Sequence, residues 1–201
     1  PRAVPSPRGA DQLVAQEDPR ESFFRLSPDR VLEAVEAAGF EPTGHCFALN
    51  ALENRVYDVR VDDGDHLVAK FYRPGRWTRE AILDEHRMLF ALEGAEIPVC
   101  APVEFEDGES VHEALGIHYA LWPRTGGRSP DELSDEQVRV LGRLLARIHD
   151  TGEALALEHR RDLTSRSVVY EALDVLDRGD FLPPHCTERY HAAALEAARL
   201  Y

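Results

Sequence analysis

Strand-forming patterns in this chain stop at Pro123, and everything after it reads as helix. Strands confined to one half cannot alternate with helices to build a parallel sheet. Before the break, residues 45–52, 55–61 and 66–73 are rich in apolar and β-branched side chains. In the second, Tyr57, Val59 and Val61 alternate with Asp58 and Arg60, the period of a half-buried strand. Asp62-Asp63-Gly64-Asp65 marks a hairpin turn into the third. A helix over about 78–93 interrupts the series, a turn follows at Asp107-Gly108, and 117–122 is the last strand. The expected class is α+β, an antiparallel meander interrupted by one helix.

The flanks are simpler. Residues 1–26 carry four prolines without periodicity, so a disordered tail is expected. The first residue is Pro1 rather than Met, which suggests a piece of a longer product. Ser27 and Pro28 start a helix that Gly39 ends. Beyond Pro123, Ser134 and Gln137 form a capping box for a helix reaching His149. Two more helical stretches fall near 167–178 and 187–201.

A net charge of −14 repels nucleic-acid backbones and anionic membranes, so neither is expected as a partner. No apolar run approaches the roughly 20 residues of a membrane span. The cysteines Cys46, Cys100 and Cys186 form no disulfide framework, which suits a reducing cytoplasm. His45-Cys46 and His185-Cys186 with Cys100 lack ligand spacing, so no metal site is expected among them.

Of 23 basic residues, Lys70 is the only lysine. Period two puts Val68, Lys70 and Tyr72 on one strand face. In the following helix Ala81, Ile82, Met88, Leu89 and Leu92 share an arc, with Glu85 at its centre and Asp84 at its edge. A carboxylate among apolar side chains needs a cation, and the preceding strand offers one. A strand lysine paired with a glutamate of the next helix is the protein-kinase arrangement for gripping ATP phosphates. Val68 would then cover the adenine. A buried ion pair without a ligand fits the same pattern.

Tyr119-Ala120-Leu121-Trp122-Pro123-Arg124 reads as an inter-lobe hinge. Adenine needs a backbone C=O and, two residues on, an N–H. Pro123 has no N–H, so the expected pair is the Trp122 carbonyl and the Arg124 amide. No glycine-rich loop is present; the corresponding turn, Leu49-Asn50-Ala51-Leu52-Glu53-Asn54-Arg55, offers Asn50 and Asn54 toward phosphate or simply as turn residues.

Seven blocks carry a family resemblance: Glu53-Asn54-Arg55-Val56-Tyr57, Val68-Ala69-Lys70-Phe71-Tyr72-Arg73-Pro74, Arg76-Trp77-Thr78, Ile82-Leu83-Asp84-Glu85-His86, Ile97-Pro98-Val99, Ala101-Pro102-Val103 and Gly126-Gly127-Arg128. They resemble the bacterial stress response kinase A family, serine/threonine protein kinases with the aminoglycoside-phosphotransferase type of kinase fold. The resemblance runs from about residue 27 to 152 and more thinly to 201. It implies a bilobal kinase-like fold, with a complete N-lobe and hinge over 27–124 and only the first C-lobe helices over 125–201. It also implies ATP, Mg2+, a protein substrate, a monomer, a cytoplasmic location and a role in stress response.

The chain departs from the family in one respect. The family's catalytic loop has an Asp base and an Asn on magnesium, with a later Asp as a second ligand. Here the only asparagines are Asn50 and Asn54, and no His-Gly-Asp occurs. No catalytic or metal residue is therefore assigned, and the 201-residue chain is expected to be inactive by itself. The alternatives are a small-molecule kinase of the aminoglycoside, choline or homoserine type, and a kinase-derived binding module without catalysis.

Overall fold

The computed structural model describes residues 18–62, 64–128, 130 and 132–201. In chain order the elements are α1 (Pro19–Phe24), α2 (Pro28–Ala37), β1 (Pro42–Leu49), β2 (Arg55–Val61), β3 (His66–Phe71), α3 (Arg79–Gly94), β4 (His112–Ala114), β5 (Ile117–Pro123) and α4 (Asp135–Glu153). A π-helical turn (Arg166–Tyr170), α5 (Glu171–Arg178) and α6 (Pro184–Leu200) follow. The chain forms two compact units, the first ending at Ala156 and the second spanning Leu157–Tyr201.

The sheet is antiparallel throughout, in the order β1-β2-β3-β5-β4. Ala69 of β3 lies opposite Tyr57 of β2 and Leu121 of β5, so these share a face. With Val59, Phe71 and Tyr119 they pack against Val31, Ala34 and Val35 of α2. Burying each large side chain contributes about 1.5–3 kcal/mol. The hydroxyls of Tyr57 and Tyr119 donate to the carbonyls of Leu26 and Ala34, at 3.2 and 2.8 Å. Burial pushes the Tyr119 phenol up to about 12, and nearby Asp107 adds to the shift. The opposite face carries Lys70 and Ala120, and beside it Tyr72, Ile82 of α3 and Val111 pack together.

Several expectations change. Residues 18–26, assigned to a disordered tail, form α1 and a connection into α2, with Phe23 and Leu26 buried in the core. Asp18 caps α1 by accepting from the Arg20 amide. At Gly116 the backbone approaches α1 so closely that a Cβ would lie 2.8 Å from Pro19 Cγ. The rest of the expected tail, 1–17, lies outside the described residues.

β1 begins at Pro42 and ends at Leu49, three residues earlier than expected at each end. Proline is tolerated as the first residue of an edge strand because no ladder bond is lost. The hairpin joining β4 to β5 turns at Leu115 and Gly116, both at positive φ (56° and 72°), a position the sequence reading did not mark. The expected turn at Asp107-Gly108 is present as well, with Gly108 N–H donating to Phe105 O at 2.9 Å.

Candidate functional site

Alternation along β3 directs Lys70 to the α3 side of the sheet. Thr78 caps α3, its hydroxyl accepting from the Ala81 amide at 3.2 Å. That start sets the helix phase, and Glu85 then faces β3. Lys70 Nζ lies 3.2 Å from Glu85 Oε1, with the two side chains 23% and 27% exposed. The ammonium also sits 4.5 Å from the Tyr72 ring centroid and 5.1 Å from that of Trp122. A carboxylate and two π-faces thus hold one cation, and a quarter of its side chain stays open to an incoming anion.

His86, which the sequence reading passed over, completes the wall behind this pair. It is 1% exposed. Its Nδ1 lies 2.8 Å from Ser110 Oγ and its Nε2 3.2 Å from Tyr72 Oη. The ring meets Trp122 edge-on at 5.5 Å. Burial pushes His86 down to about 4; Glu85 opposes the shift and Lys70 adds to it. A neutral imidazole donates from one nitrogen and accepts at the other, so both hydroxyl contacts are satisfied. The available signal was Tyr72 on the Lys70 face, a hydroxyl needing a partner in a buried layer. Asp84, placed by periodicity at the edge of the arc, is fully buried (0% exposed) and paired with Arg87.

The turn between β1 and β2 is anchored by its polar residues. Asn54 Oδ1 accepts from the Arg73 amide at 3.2 Å. Glu53 accepts from Arg76 Nε at 2.9 Å and Trp77 Nε1 at 3.1 Å. Both bonds tie the turn to the segment following β3. Asn50 lines a cavity of about 320 Å3 together with Phe23, Leu52, Asn54 and Arg73. Val68 is half-buried on the Lys70 face.

The expected hinge register does not hold. Arg124 N–H donates to His66 O at 2.9 Å, and Tyr72 N–H donates to His118 O at 2.9 Å. Hydrogen-bonded pairs in an antiparallel ladder recur every second residue. Val68 and Trp122, opposite one another, are therefore such a pair, and both Trp122 backbone groups face β3. Leu121 O accepts from Val103 N–H at 2.8 Å. The carbonyl turned away from β3 at the strand end is that of Pro123. Excluding Pro123 as a donor had suggested Trp122 and Arg124, but the ladder uses both.

A lysine–glutamate pair between a five-stranded antiparallel sheet and the helix after β3 defines a chain of the kinase-like phosphotransferase class. The chain belongs to the phosphotransferase enzyme family, whose profile matches residues 47–200. It is similar to stress response kinase A of Escherichia coli (strain K12), 33% identical over 162 residues that cover 81% of this chain and 49% of the relative. The serine/threonine protein kinase RdoA of Salmonella typhimurium (strain LT2) gives the same identity and coverage. The chain thus spans about half the length of the curated relatives it matches. Amicoumacin kinase hAmiN, solved with AMP-PNP, Ca2+ and Ami, aligns with a TM-score of 0.56 at 18% identity, over 71% of this chain and 46% of that one. Spectinomycin phosphotransferase, solved with ADP and its antibiotic, aligns at 0.56 with 12% identity, over 74% and 45%. These likenesses show the kinase-like fold. Among the described residues no helix is long and apolar enough to cross a membrane.

Proposed function

We propose that the chain is the nucleotide-binding part of an ATP-dependent serine/threonine protein kinase acting in stress response in the cytoplasm. The observation that carries this reading is the Lys70–Glu85 pair at 3.2 Å. An ammonium held by a carboxylate stays directed toward the open side of the sheet, where it can bridge phosphate oxygens. Val68 would lie over the adenine, with Asn50 near the phosphates. The Pro123 carbonyl and the Thr125 amide, two residues apart, would hold the adenine edge. Residues 27–124 then make up the lobe with sheet and hinge, and 125–201 the first helices of the second lobe. The protein substrate in this reading follows the name of one relative at 33% identity, a serine/threonine protein kinase.

The resemblance implies Mg2+, but the groups around Lys70 do not fit it. Mg2+ requires near-octahedral oxygen ligands. Here the ammonium's neighbours are one carboxylate and two aromatic rings. Neither asparagine substitutes for the missing ligands: Asn54 is bonded to the Arg73 amide, and Asn50 lies in the β1–β2 turn. The 201 residues by themselves transfer no phosphate on this reading.

Titrating the chain with a fluorescent ATP analogue provides the test. Saturable binding that ATP competes away, weakened at least about tenfold by Lys70→Met, is expected. Equal binding by Lys70→Met overturns the nucleotide assignment. A protein of the relatives' full length containing this chain then reports the substrate class. Phosphate on protein serine or threonine supports the kinase reading, and phosphate only on small alcohols replaces it.

A further inference from the structure

Three neighbouring strands each bring one ligand-type side chain together away from the Lys70–Glu85 pair. They are His45 of β1, Asp58 of β2 and His66 of β3, with one ligand atom of each within 4.8 Å of the others. Asp58 lies opposite Val68, so it stands on the sheet face that carries Lys70. His66 Nδ1 is 2.8 Å from Asp58 Oδ1. The rings of His45 and His66 are 5.7 Å apart. Between Pro42 and Cys46 the β1–β2 register shifts, and Gly44 sits at φ 89°. Such an irregularity re-aims the adjoining side chain, here His45. Among the described residues neither ring nitrogen of His45 has a hydrogen-bond partner.

We propose that His45, Asp58 and His66 bind a transition-metal ion of the zinc(II) class. Two imidazoles and one carboxylate suit zinc, cobalt or nickel, whereas magnesium and calcium require all-oxygen sets. Three protein ligands leave a fourth position for water or an exogenous group. Tetrahedral zinc places its ligand atoms about 3.3 Å apart, a modest side-chain movement from the observed spacing. The scaffold is rigid, since all three residues belong to paired strands of one sheet. The half-exposed histidines provide the entry path.

Arg124 is the competitor. Its Nη1 lies 2.9 Å from Asp58 Oδ2 and 3.4 Å from His66 Nδ1. The buried carboxylate requires a cation, and this guanidinium supplies one. With a side chain 52% exposed, Arg124 can swing into solvent as a metal ion takes the same lone pairs. Arg60 adds a second positive charge on β2, two residues from Asp58. Both arginines weaken the site, so removing Arg124 strengthens it.

The test is Zn2+ titration of the intact chain against a chromophoric chelator, with Co2+ as a spectroscopic probe. One equivalent is expected, with cobalt bands of four-coordinate intensity in the visible. His45→Ala and His66→Ala should each weaken uptake at least about tenfold, and Arg124→Gln should tighten it by a similar factor. Both histidines are partly exposed, and melting without metal checks that their variants stay folded. Absence of saturable uptake at about 100 μM, or uptake that survives both histidine changes, overturns the site. Uptake that survives Asp58→Asn removes Asp58 from the ligand set and overturns it too. No nucleotide enters the assay, so its result is independent of the nucleotide reading.

Discussion

The Tyr72 hydroxyl and the Nε2 of His86 stand 3.2 Å apart, joining the residue that follows β3 to the middle of α3 directly behind the Lys70–Glu85 pair. This contact holds the helix at the distance from the sheet that the ion pair needs. It also makes the pair's support sensitive to pH.

His86 has an ordinary value of 6.5 and is held near 4 in the folded chain. Between those values the unfolded chain binds more protons, so stability falls as pH drops from 6.5 toward 4 and is fully present above 6.5. The full effect is on the order of 3 kcal/mol. Urea denaturation at pH 7 and pH 5 should show about 2 kcal/mol of this loss in the wild type. His86→Gln should be less stable at pH 7 by about 1–3 kcal/mol and should lack that component of the pH dependence.

Asp84→Ala tests which of two adjacent carboxylates supports the fold. Asp84 is fully buried and paired with Arg87, whereas Glu85 is part-exposed at the ammonium. The substitution should lower stability by about 1–3 kcal/mol, read from the urea midpoint. Nucleotide affinity of the folded fraction should stay within about twofold.

Gly116→Ala tests the docking of α1. A Cβ there must move Pro19 aside and also accept a φ of 72°. Positive φ alone costs a non-glycine residue about 1 kcal/mol. The expected outcome is a total loss of about 1–3 kcal/mol and faster proteolysis around residues 18–26. Unchanged melting and proteolysis would show that α1 does not pack on the β4–β5 turn.

Thr125→Pro removes the amide assigned to the adenine edge and leaves the β3–β5 ladder intact. Nucleotide analogue binding should fall about tenfold, the worth of one well-placed hydrogen bond, with little change in melting. If binding is retained, adenine does not use Thr125.

The order of strands and helices and the facing of Lys70 toward Glu85 were legible because each rests on a local period. The β2 bounds agree with the sequence reading for the same reason: Tyr57, Val59 and Val61 repeat at two-residue spacing and are all buried. What the sequence hid depends on long-range pairing. Whether Trp122 or Pro123 turns its carbonyl outward is decided by the β3–β5 register, which no single strand encodes. His86 and Ser110 meet across 24 residues of chain. Asp58 read as a solvent-side position of an alternating strand, yet it is 5% exposed because Arg124 and His66 close over it. α1 was missed because two prolines and mixed charge nearby masked the short apolar pair Phe23 and Phe24.

The lone lysine gives this chain an unusual chemical address. An acylating reagent that modifies ε-amines finds one target per chain, and that target is the ammonium between Glu85, Tyr72 and Trp122. The mass added to the peptide that contains Lys70 therefore reports directly on access to this one spot, the α-amine being read on a separate peptide. A bound nucleotide would appear as protection, without any engineered label. By the same logic a single acetylation neutralises every lysine the chain has, and Glu85 loses its ammonium partner in that step.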